Sequence, residues 1–478
     1  MSHTPPERRR RVVAVLGGGV AGLTAAYRLT RGPDAPEVVL LEGSGRVGGI
    51  IHTETAPGFV MERGPDCFIS NKPAGVGLAE ELGLADELIP TNPRQRRSFI
   101  LREGRLVPIP KGFYLMAPAS LEELRATPLF SDAGKARIAA ETDIPPRPDD
   151  GRDESLADFV RRRLGEECLV RFAQPMVAGI TTTDPEKMSM AALMPQFLRY
   201  EQEHGSVIRA LQHKAKQEAA EAQASGPRYG LFLSLRGGMQ RLTDALAAAL
   251  PAGCVRTGER VASLRRSGDR WSVGLARGPA VEADAVVCTL PAPVAARLLV
   301  ETAPGLAAEL GRIEYAPCAA VNIVADRGQV AHPLDGMGFV VPAIERRFVI
   351  ACSFSSVKFA GRAPEGSVLL RAFVGGALAA GDVFLSDPDL TARVLADLRD
   401  IVGLTGVPRE VRVVRWPESM PQYHVGHLDR VARIERLAAE LPAFALAGNA
   451  YRGVGIPDTI QSAATAAESA RKSLPCSH

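Results

Sequence analysis

The pattern of apolar and polar positions near the start of the chain predicts a strand, a tight turn, a helix and a second strand. Residues 12–16 form an uninterrupted apolar run, and a glycine-rich turn follows them. Beyond the turn, apolar side chains recur at the spacing of one helix face, at Val20, Leu23, Ala26 and Tyr27. A second apolar run at residues 38–41 ends in Glu42.

The turn has the spacing Gly-x-Gly-x-x-Gly at Gly17, Gly19 and Gly22. The first glycine permits a sharp turn, the second lets the backbone approach a pyrophosphate, and the third allows the helix to pack closely on the sheet. The N–H groups at the start of the helix favour a phosphate there. Glu42 follows Gly22 by twenty residues, where a carboxylate that binds ribose is expected. The segment therefore predicts a dinucleotide-binding site.

Helical patterns dominate from about residue 101 to residue 225. Apolar residues at Leu156, Phe159, Val160 and Leu164 share one helix face, and the run 161–163 of arginines is expected on the other face. A long polar helix is predicted over residues 195–224, closed by Ser-Gly-Pro at residues 225–227.

The second half of the chain alternates between strands and loops. The run at residues 284–291 resembles the buried strand that returns to the first sheet in proteins with this kind of nucleotide site, and residues 444–449 are expected to return to that sheet again. Strands predicted between these two runs suggest a second sheet, at residues 319–324, 338–341, 368–374 and 410–416.

The composition is that of a globular protein of enzyme size. Of 478 residues, 46% are hydrophobic and 23% are charged, which excludes disorder over most of the length. The 57 Lys and Arg against 54 Asp and Glu leave a net charge of +3, which argues against binding to nucleic acid. The seven cysteines show no metal-ligand spacing, so neither a metal site nor a disulfide framework is expected. We see no signal-peptide core in residues 1–11 and no membrane-spanning run, and we expect a cytoplasmic protein.

The residues after Glu42 continue as Gly43-Ser44-Gly45-Arg46-Val47-Gly48-Gly49. An acid at the strand end, an arginine four residues later and a glycine pair resemble the extended fingerprint of amine-oxidase-like flavoproteins. This resemblance implies that the cofactor is FAD, with the arginine and the glycine pair along its diphosphate. Residues 445–451 contain no cysteine for a covalent flavin bond, so the FAD is expected to be noncovalent.

Four further motifs resemble the oxygen-dependent protoporphyrinogen and coproporphyrinogen oxidases of haem biosynthesis. They occur in the same order along the chain, at Gly179–Met190, Phe373–Gly376, Trp416–Tyr423 and Gly448–Asp458. The resemblance implies an FAD enzyme that oxidises a porphyrinogen to the porphyrin in successive two-electron steps, with O2 as acceptor and H2O2 as product. It implies no catalytic side chain, because the flavin carries the chemistry.

The resemblance also implies a fold of the α/β class with three parts. A discontinuous Rossmann-like FAD-binding domain is expected to comprise residues 1–100, 228–293 and 442–478. A helical insertion is expected over residues 101–227, and a mixed-sheet substrate domain over residues 294–441. The residues expected to contact FAD, carried over motif by motif, are Gly17, Gly18, Gly19, Val20, Ala21, Gly22, Glu42, Gly43, Arg46, Gly49, Gly64, Pro65, Asp66, Cys67, Val261, Trp416, Val454, Gly455 and Ile456.

In the substrate pocket the resemblance implies that Val340 and Phe373 hold the flat macrocycle and that Gly179 lends a carbonyl. Two positions depart from protoporphyrinogen oxidases: Ser98 stands where an arginine for a ring propionate is expected, and Ser353 stands at a second apolar position. A shift of one residue would place Arg97 in the pocket instead. A more polar pocket suits coproporphyrinogen, which has four propionates rather than two. Both substrates therefore stay open at this point.

Two other functions fit the same scaffold. One is an amine oxidase or a carotenoid-type desaturase, and the other is a flavin carrier without turnover. The partners expected are a porphyrinogen and O2, with no nucleic acid. A homodimer is left open, as is a weak peripheral contact with the inner face of the cell membrane, for which residues 113–116 beside Lys111 are the candidate segment.

Overall fold

The computed structural model describes residues 10–225 and 231–474, with side chains described except at residues 178–180 and 218–225. Its strands, in chain order, are β1 (Val12–Leu16), β2 (Glu37–Glu42), β3 (Thr53–Ala56), β4 (Phe59–Glu62), β5 (Phe68–Ile69), β6 (Leu88–Pro90), β7 (Phe99–Arg102), β8 (Arg105–Pro108), β9 (Phe113–Tyr114), β10 (Ala117–Pro118), β11 (Phe232–Leu235), β12 (Val255–Thr257), β13 (Val261–Ser267), β14 (Arg270–Leu275), β15 (Val281–Ala283), β16 (Ala285–Cys288), β17 (Tyr315–Asp326), β18 (Gly338–Val340), β19 (Ala351–Phe354), β20 (Ser367–Gly375), β21 (Glu410–Pro421) and β22 (Phe444–Leu446).

The helices follow the same numbering by chain order. They are α1 (Val20–Leu29), α2 (Pro73–Glu81), α3 (Leu121–Ala126), α4 (Asp132–Ala139), α5 (Leu156–Arg163), α6 (Glu166–Cys168), α7 (Gln174–Thr181), α8 (Met190–Leu193), α9 (Pro195–His204), α10 (Val207–Ser225), α11 (Gln240–Ala248), α12 (Ala292–Leu299), α13 (Pro304–Gly311), α14 (Ser355–Lys358), α15 (Asp387–Val402), α16 (His427–Ala439) and α17 (Ile456–Lys472). No helix in the described ranges is both long and apolar enough to span a bilayer.

A parallel five-stranded sheet forms around the first apolar run, in the order β12-β2-β1-β16-β22. Its central strands are apolar on both faces because both faces are covered by other elements. The register pairs Val13 with Ala285 and Leu16 with Cys288, so the run predicted to return to the first sheet does so. Residues 444–446 pair with β16 in turn, which confirms the second predicted return.

The helices α1, α2, α11 and α17 pack on one face of the parallel sheet. The small sheet β13-β14-β15 and the helices α12, α13 and α16 cover the other face. Apart from the first two residues of α12, these three helices fall inside the range 294–441 that was predicted as the substrate domain. Their apolar faces contact Ala14, Leu16 and Val39, so they belong to the core of the parallel sheet, and the predicted boundary must be corrected there.

A second, mixed sheet has seven strands in the order β21-β17-β20-β19-β18-β7-β8. The predicted domain boundary between residues 100 and 101 cuts through β7, which pairs with β18. Residues 99–108 therefore belong to this sheet and not to the helical insertion. One face of the sheet packs on α15 through a core that includes Leu370, Val394 and Leu398.

The helical insertion contains α3 to α10. Its core includes Leu156, Phe159 and Val160, which confirms the apolar face predicted for α5. The prediction was wrong for Arg163, which has no exposed surface and forms an ion pair with Glu141 from another segment. The long polar helix was also wrong as one element, because Gly205, at φ +67°, ends α9 in a left-handed conformation and α10 starts at Val207.

Candidate active site

The glycine-rich turn lies at the carboxyl end of β1, between the neighbouring strands β2 and β16. Gly17 has φ +103°, a conformation that favours glycine. A Cβ at Gly22 would lie 1.8 Å from the carbonyl oxygen of Gly17, so this position has no room for a side chain. A Cβ at Gly19 would meet nothing within 4 Å, which leaves open space in front of the amino end of α1. Val20 and Ala21 form the first turn of that helix.

Glu42 ties the turn to the loop after β2. One carboxylate oxygen accepts the N–H of Gly18 at 2.7 Å, and the other accepts the N–H of Ser44 at 2.7 Å. Each carboxylate oxygen can accept a further hydrogen bond, so the group can also bind ribose hydroxyls. A cavity of about 280 Å³ opens beside it, lined by Leu41, Glu42, Gly43, Ser44, Arg260, Val261, Leu290 and Val294. The cavity is at the lower end of the size range for ligand sites, enough for part of a dinucleotide.

Arg46 stabilises the loop that follows. Its guanidinium donates to the carbonyl oxygens of Val47 at 2.9 Å and Gly49 at 2.5 Å. Burial lowers the pKa of Arg46, and the charge of Arg63 lowers it further. The N–H of Gly48 donates to the carbonyl of Gly18, which holds the loop against the glycine turn. The diphosphate contact expected for Arg46 and Gly49 stays a prediction.

The predicted turn from Gly64 to Cys67, which includes Pro65, follows β4. A Cβ at Gly64 would lie 1.7 Å from the carbonyl oxygen of Ile50, so only glycine fits there. Lys358 Nζ lies 2.8 Å from Asp66 Oδ2, with both side chains largely buried. Burial alone raises the pKa of Asp66, but the charges of Lys358 and Arg371 outweigh it and hold that pKa below its usual range. Burial and the Asp66 charge raise the pKa of the Cys67 thiol to about 12, so the thiol stays protonated.

The register of the seven-stranded sheet places the predicted substrate residues on one face. Val340 lies opposite Ala351, which lies opposite Phe373, and Gly338 lies opposite Ser353, which lies opposite Arg371. Because side chains alternate along a strand, Val340, Ser353 and Phe373 project from the face away from α15. All three are half-buried, whereas their neighbours along the strands are buried. Part of the surface of each of these three residues is therefore left uncovered.

The other predicted substrate residues have different surroundings. Ser98 precedes β7, and its carbonyl accepts the N–H of Ile109, which continues the β7–β8 pairing. By alternation it shares the face of Ile100 and Val340. Arg97 is 53% exposed at its side chain and lies 3.2 Å from Asp335, so it is not in the same space. Gly179 falls among the residues of α7 whose surroundings lie outside the described part of the chain.

The C-terminal motif starts α17. Gly455 is the residue before the helix, Val454 and Ile456 flank it, and all three are half-buried. Tyr423 holds the segment before them, because its hydroxyl donates to the carbonyl of Asn449 at 2.7 Å and accepts the N–H of Gly453 at 2.9 Å. The ring of His427 stacks on Tyr423 at 3.8 Å between centroids. Both rings therefore support the loop that leads to Val454.

His427 makes folding stability depend on pH. Burial lowers its pKa from 6.5 to about 4, although its hydrogen bond to Tyr451 opposes the shift. The unfolded chain therefore binds more protons between about pH 6.5 and about pH 4, so this contribution is complete above that window and is lost as the pH falls through it. We expect the free energy of unfolding to fall by about 3 kcal/mol as the pH decreases through this window, because His427 is protonated more readily in the unfolded chain.

Urea unfolding across this pH range checks the expectation. His427→Gln should flatten the dependence of the free energy of unfolding on pH. The control His204→Gln, at an exposed position, should leave that dependence unchanged. An equal slope in the His427→Gln variant and the unsubstituted protein would contradict the assignment.

Several residues at the site were missed by the sequence analysis. Ser44, Arg260, Leu290 and Val294 line the cavity beside Glu42. Lys358 pairs with Asp66. Arg371 donates to the carbonyl of Gly64 in the turn, and Asn322 donates to the carbonyl of Glu62 just before it. Of these, only Arg371 carried a signal, since it lies two residues before Phe373 and so on the same strand face.

Comparison with known proteins agrees with this geometry. Residues 20–470 match the family described as flavin containing amine oxidoreductase. The chain is 36% identical to coproporphyrinogen III oxidase of Bacillus subtilis, over 94% of this chain and 95% of that one. It is 31% identical to chloroplastic protoporphyrinogen oxidase 1 of Arabidopsis thaliana, over 94% of this chain and 86% of that one. A crystal structure of a putative protoporphyrinogen oxidase from Exiguobacterium sp. 255-15 is 33% identical, covers 96% of this chain and 98% of its own, and has a TM-score of 0.85.

The family match spans almost the whole chain, from the start of α1 to within the last turn of α17, and includes every strand of the seven-stranded sheet and all strands of the parallel sheet except β1. A strand, a tight glycine turn and a helix, with a cavity beside Glu42, form the arrangement that binds a dinucleotide such as FAD. The chain therefore belongs to the family of flavin-containing amine oxidoreductases.

Proposed function

We propose that this protein is an FAD-dependent porphyrinogen oxidase whose preferred substrate is coproporphyrinogen III. The observation that carries the proposal is the sheet face that Val340, Ser353 and Phe373 share, on which all three side chains are only half-buried. A flat face with apolar and aromatic side chains suits a macrocycle. The relatives from Bacillus subtilis and Arabidopsis thaliana, both named as porphyrinogen oxidases, support the same substrate class.

The residues present fit FAD. In this proposal the parallel sheet is the Rossmann-like FAD-binding domain, the open space at Gly19 takes the pyrophosphate, and the cavity beside Glu42 and Val261 takes the adenosine. Arg46, Gly64 and the Val454–Ile456 segment complete the site. Bound FAD supplies the two-electron acceptor, and O2 regenerates it with release of H2O2.

The protein itself binds and orients the porphyrinogen and excludes competing groups from the site. Aromatisation of the macrocycle provides driving force, so a strong base is not needed. The titratable groups at the Gly64–Cys67 turn agree with this, because Lys358 holds Asp66 in an ion pair and the pKa of Cys67 is about 12. Val340 and Phe373 align the ring, and alignment is the main way in which such a site accelerates the reaction.

The preference for coproporphyrinogen rests chiefly on Ser353. It places a hydroxyl on the substrate face where the resemblance implies an apolar side chain, which would favour the vinyl groups of protoporphyrinogen. Ser98 stands where the resemblance implies an arginine for a propionate, so it adds a second hydroxyl on this face but no charge. A buried carboxylate needs polar partners, so hydroxyl groups favour the substrate with more propionates. Arg97, which pairs with Asp335, does not add a charge on that face.

Purified protein loaded with FAD tests the function directly. Mixed aerobically with each porphyrinogen, it should develop porphyrin fluorescence and consume O2, with the higher initial rate for coproporphyrinogen III. Unchanged substrates with FAD bound would favour a flavin carrier, and oxidation of amines instead would favour an amine oxidase.

Replacement of the two serines should change the substrate preference. In Ser98→Val combined with Ser353→Val, we expect the ratio of kcat/KM for coproporphyrinogen to that for protoporphyrinogen to fall about tenfold, because two polar contacts of about 0.5–1.5 kcal/mol each are lost. Ser272→Val on β14, a strand serine in another sheet, is the matched control. An unchanged ratio in the double variant would refute the specificity argument.

Peripheral membrane contact and dimerisation stay predictions. In the candidate segment 113–116, Met116 is fully buried and Phe113 packs against Phe130 and Phe172, whereas Tyr114 and Leu115 are half-buried. Co-sedimentation with liposomes at low salt tests the contact.

A further inference from the structure

The carbonyl oxygens along residues 62–66 are held by side chains from other strands. Asn322 donates to Glu62 O at 3.1 Å, and the indole N–H of Trp416 donates to Arg63 O at 2.7 Å. Arg371 donates to Gly64 O, and the Ser234 hydroxyl donates to Asp66 O at 2.6 Å. The last three residues of this segment belong to the Gly64–Cys67 turn, which is assigned to the flavin.

Three of these donors come from adjacent strands of the seven-stranded sheet. Trp416 lies on β21, Asn322 on β17 and Arg371 on β20, and the register places Asn322 directly opposite Arg371. Asn322 is 2% exposed and Arg371 is 5% exposed. Moving the segment away from the sheet would leave these buried donors without partners, which costs more than the hydrogen bonds contribute.

Arg371 also contacts the substrate face. Its guanidinium carbon lies 4.8 Å from the centre of the Phe373 ring, on the same strand and the same face. One side chain thus touches both Gly64, at the flavin turn, and Phe373, the aromatic residue expected against the macrocycle. A cation over an aromatic ring adds attraction that holds both in place.

We propose that Arg371, Asn322 and Trp416 form a carbonyl clamp that sets the distance and orientation between the flavin and the porphyrinogen. Arg371 and Asn322 are positioning residues, because they act through the Glu62–Gly64 backbone and through Phe373. Trp416, which is also expected to contact FAD, adds the hydrogen bond to the Arg63 carbonyl. The proposal rests on the proposed function, since it takes the Gly64–Cys67 turn as the flavin contact. It extends that function by naming the part of the sheet that couples the two binding sites.

Three variants each remove one donor while keeping most of the side-chain volume: Arg371→Met, Asn322→Leu and Trp416→Phe. Two matched controls remove similar groups elsewhere. Arg412→Met removes an arginine that lies opposite Asn322 in the register but pairs with Glu54 and Glu410. Trp271→Phe removes the other tryptophan, which lies on β14 in the small sheet that covers the parallel sheet. Its indole N–H donates to Pro442 O at 2.9 Å.

The readouts are the dissociation constant of FAD from the apoprotein, the midpoint potential of the bound flavin, and the single-turnover rate of flavin reduction. We expect each clamp variant to weaken FAD binding about tenfold. Arg371→Met should also slow flavin reduction about 100-fold at saturating porphyrinogen, because a small misplacement of the reacting groups has a large effect on rate. The controls should bind FAD and be reduced as the unsubstituted protein is.

The outcomes separate the two proposals. If the unsubstituted apoprotein binds no FAD or oxidises neither porphyrinogen, the proposed function fails. If it does both, and the clamp variants melt at lower temperature but keep the FAD affinity, the midpoint potential and the reduction rate, the three residues are only structural and the clamp is overturned. Arg371→Met should also lower the midpoint potential, because it removes a positive charge beside the flavin turn. Arg371→Lys keeps that charge, so it should retain part of the midpoint potential but not the reduction rate.

Discussion

Gly22→Val is expected to yield a protein that does not retain FAD and is less stable than the unsubstituted protein. A Cβ at this position would lie 1.8 Å from Gly17 O and 2.9 Å from Thr289 Oγ1, so α1 must move away from β1 and β16. Overpacking of this kind costs about 3 kcal/mol or more. The flavin absorbance of the purified protein and urea unfolding measure the two effects.

Two other glycines separate loss of fold from loss of binding. Gly19→Ala should fold normally, because its Cβ meets nothing within 4 Å in the protein, yet weaken FAD binding about 10- to 100-fold if the pyrophosphate occupies that space. Gly45→Ala, in the nearby loop and also in open space, should change neither property. Normal FAD affinity in Gly19→Ala would contradict the placement of the pyrophosphate.

Glu141→Ala is expected to lower the free energy of unfolding by about 3 kcal/mol, because it removes the hydrogen-bonded partner of the buried Arg163 charge and leaves only Glu201, at 3.6 Å. Neither the Glu141 nor the Arg163 side chain has exposed surface. Glu141 also accepts the N–H groups of Val207 at 2.9 Å and Ile208 at 3.2 Å, so it holds the start of α10 as well. Urea unfolding followed by circular dichroism measures the loss.

An exposed ion pair is the control for this substitution. Glu186 pairs with Arg161 on the surface of the same insertion, and Glu186→Ala should cost less than about 1 kcal/mol. Glu141→Leu combined with Arg163→Met should lose less than Glu141→Ala, because no unpaired charge remains. A loss in Glu141→Ala as small as that in Glu186→Ala would show that the buried pair contributes little.

The glycine turn and Glu42 could be predicted from sequence because their constraints are local. A strand that turns sharply into a helix needs glycine at fixed offsets, and the following strand places its terminal carboxylate beside that turn. The clamp could not be predicted in this way. Asn322 and Arg371 lie 260 and 307 residues from the carbonyls that they hold, and no spacing rule connects them.

The differences between the predicted and the observed fold also come from contacts between residues that are far apart in the sequence. Arg163 was assigned to a polar face together with its neighbours Arg161 and Arg162, although helical periodicity puts it on the face of Leu156 and Phe159. Its charge is accommodated there by Glu141, which lies in a separate segment. Likewise β7 carries apolar residues as any strand does, and only its pairing with β18 assigns it to the seven-stranded sheet. Domain boundaries drawn from changes in sequence texture were therefore displaced at β7 and at α12, α13 and α16.

The sequence by itself determined the strand-turn-helix at the start of the chain, the kind of cofactor that such a turn receives, and the strands on which Val340 and Phe373 lie. The strand that carries Ser353 was not predicted. Backbone sterics and side-chain alternation act over a few residues, so a linear chain displays them directly. The tertiary structure decided which strands are neighbours, that these three side chains share one face, and that Arg371 reaches from that face to Gly64. Those relations depend on burial and on unpaired donors finding acceptors across hundreds of residues, and they exist only once the sheets have assembled.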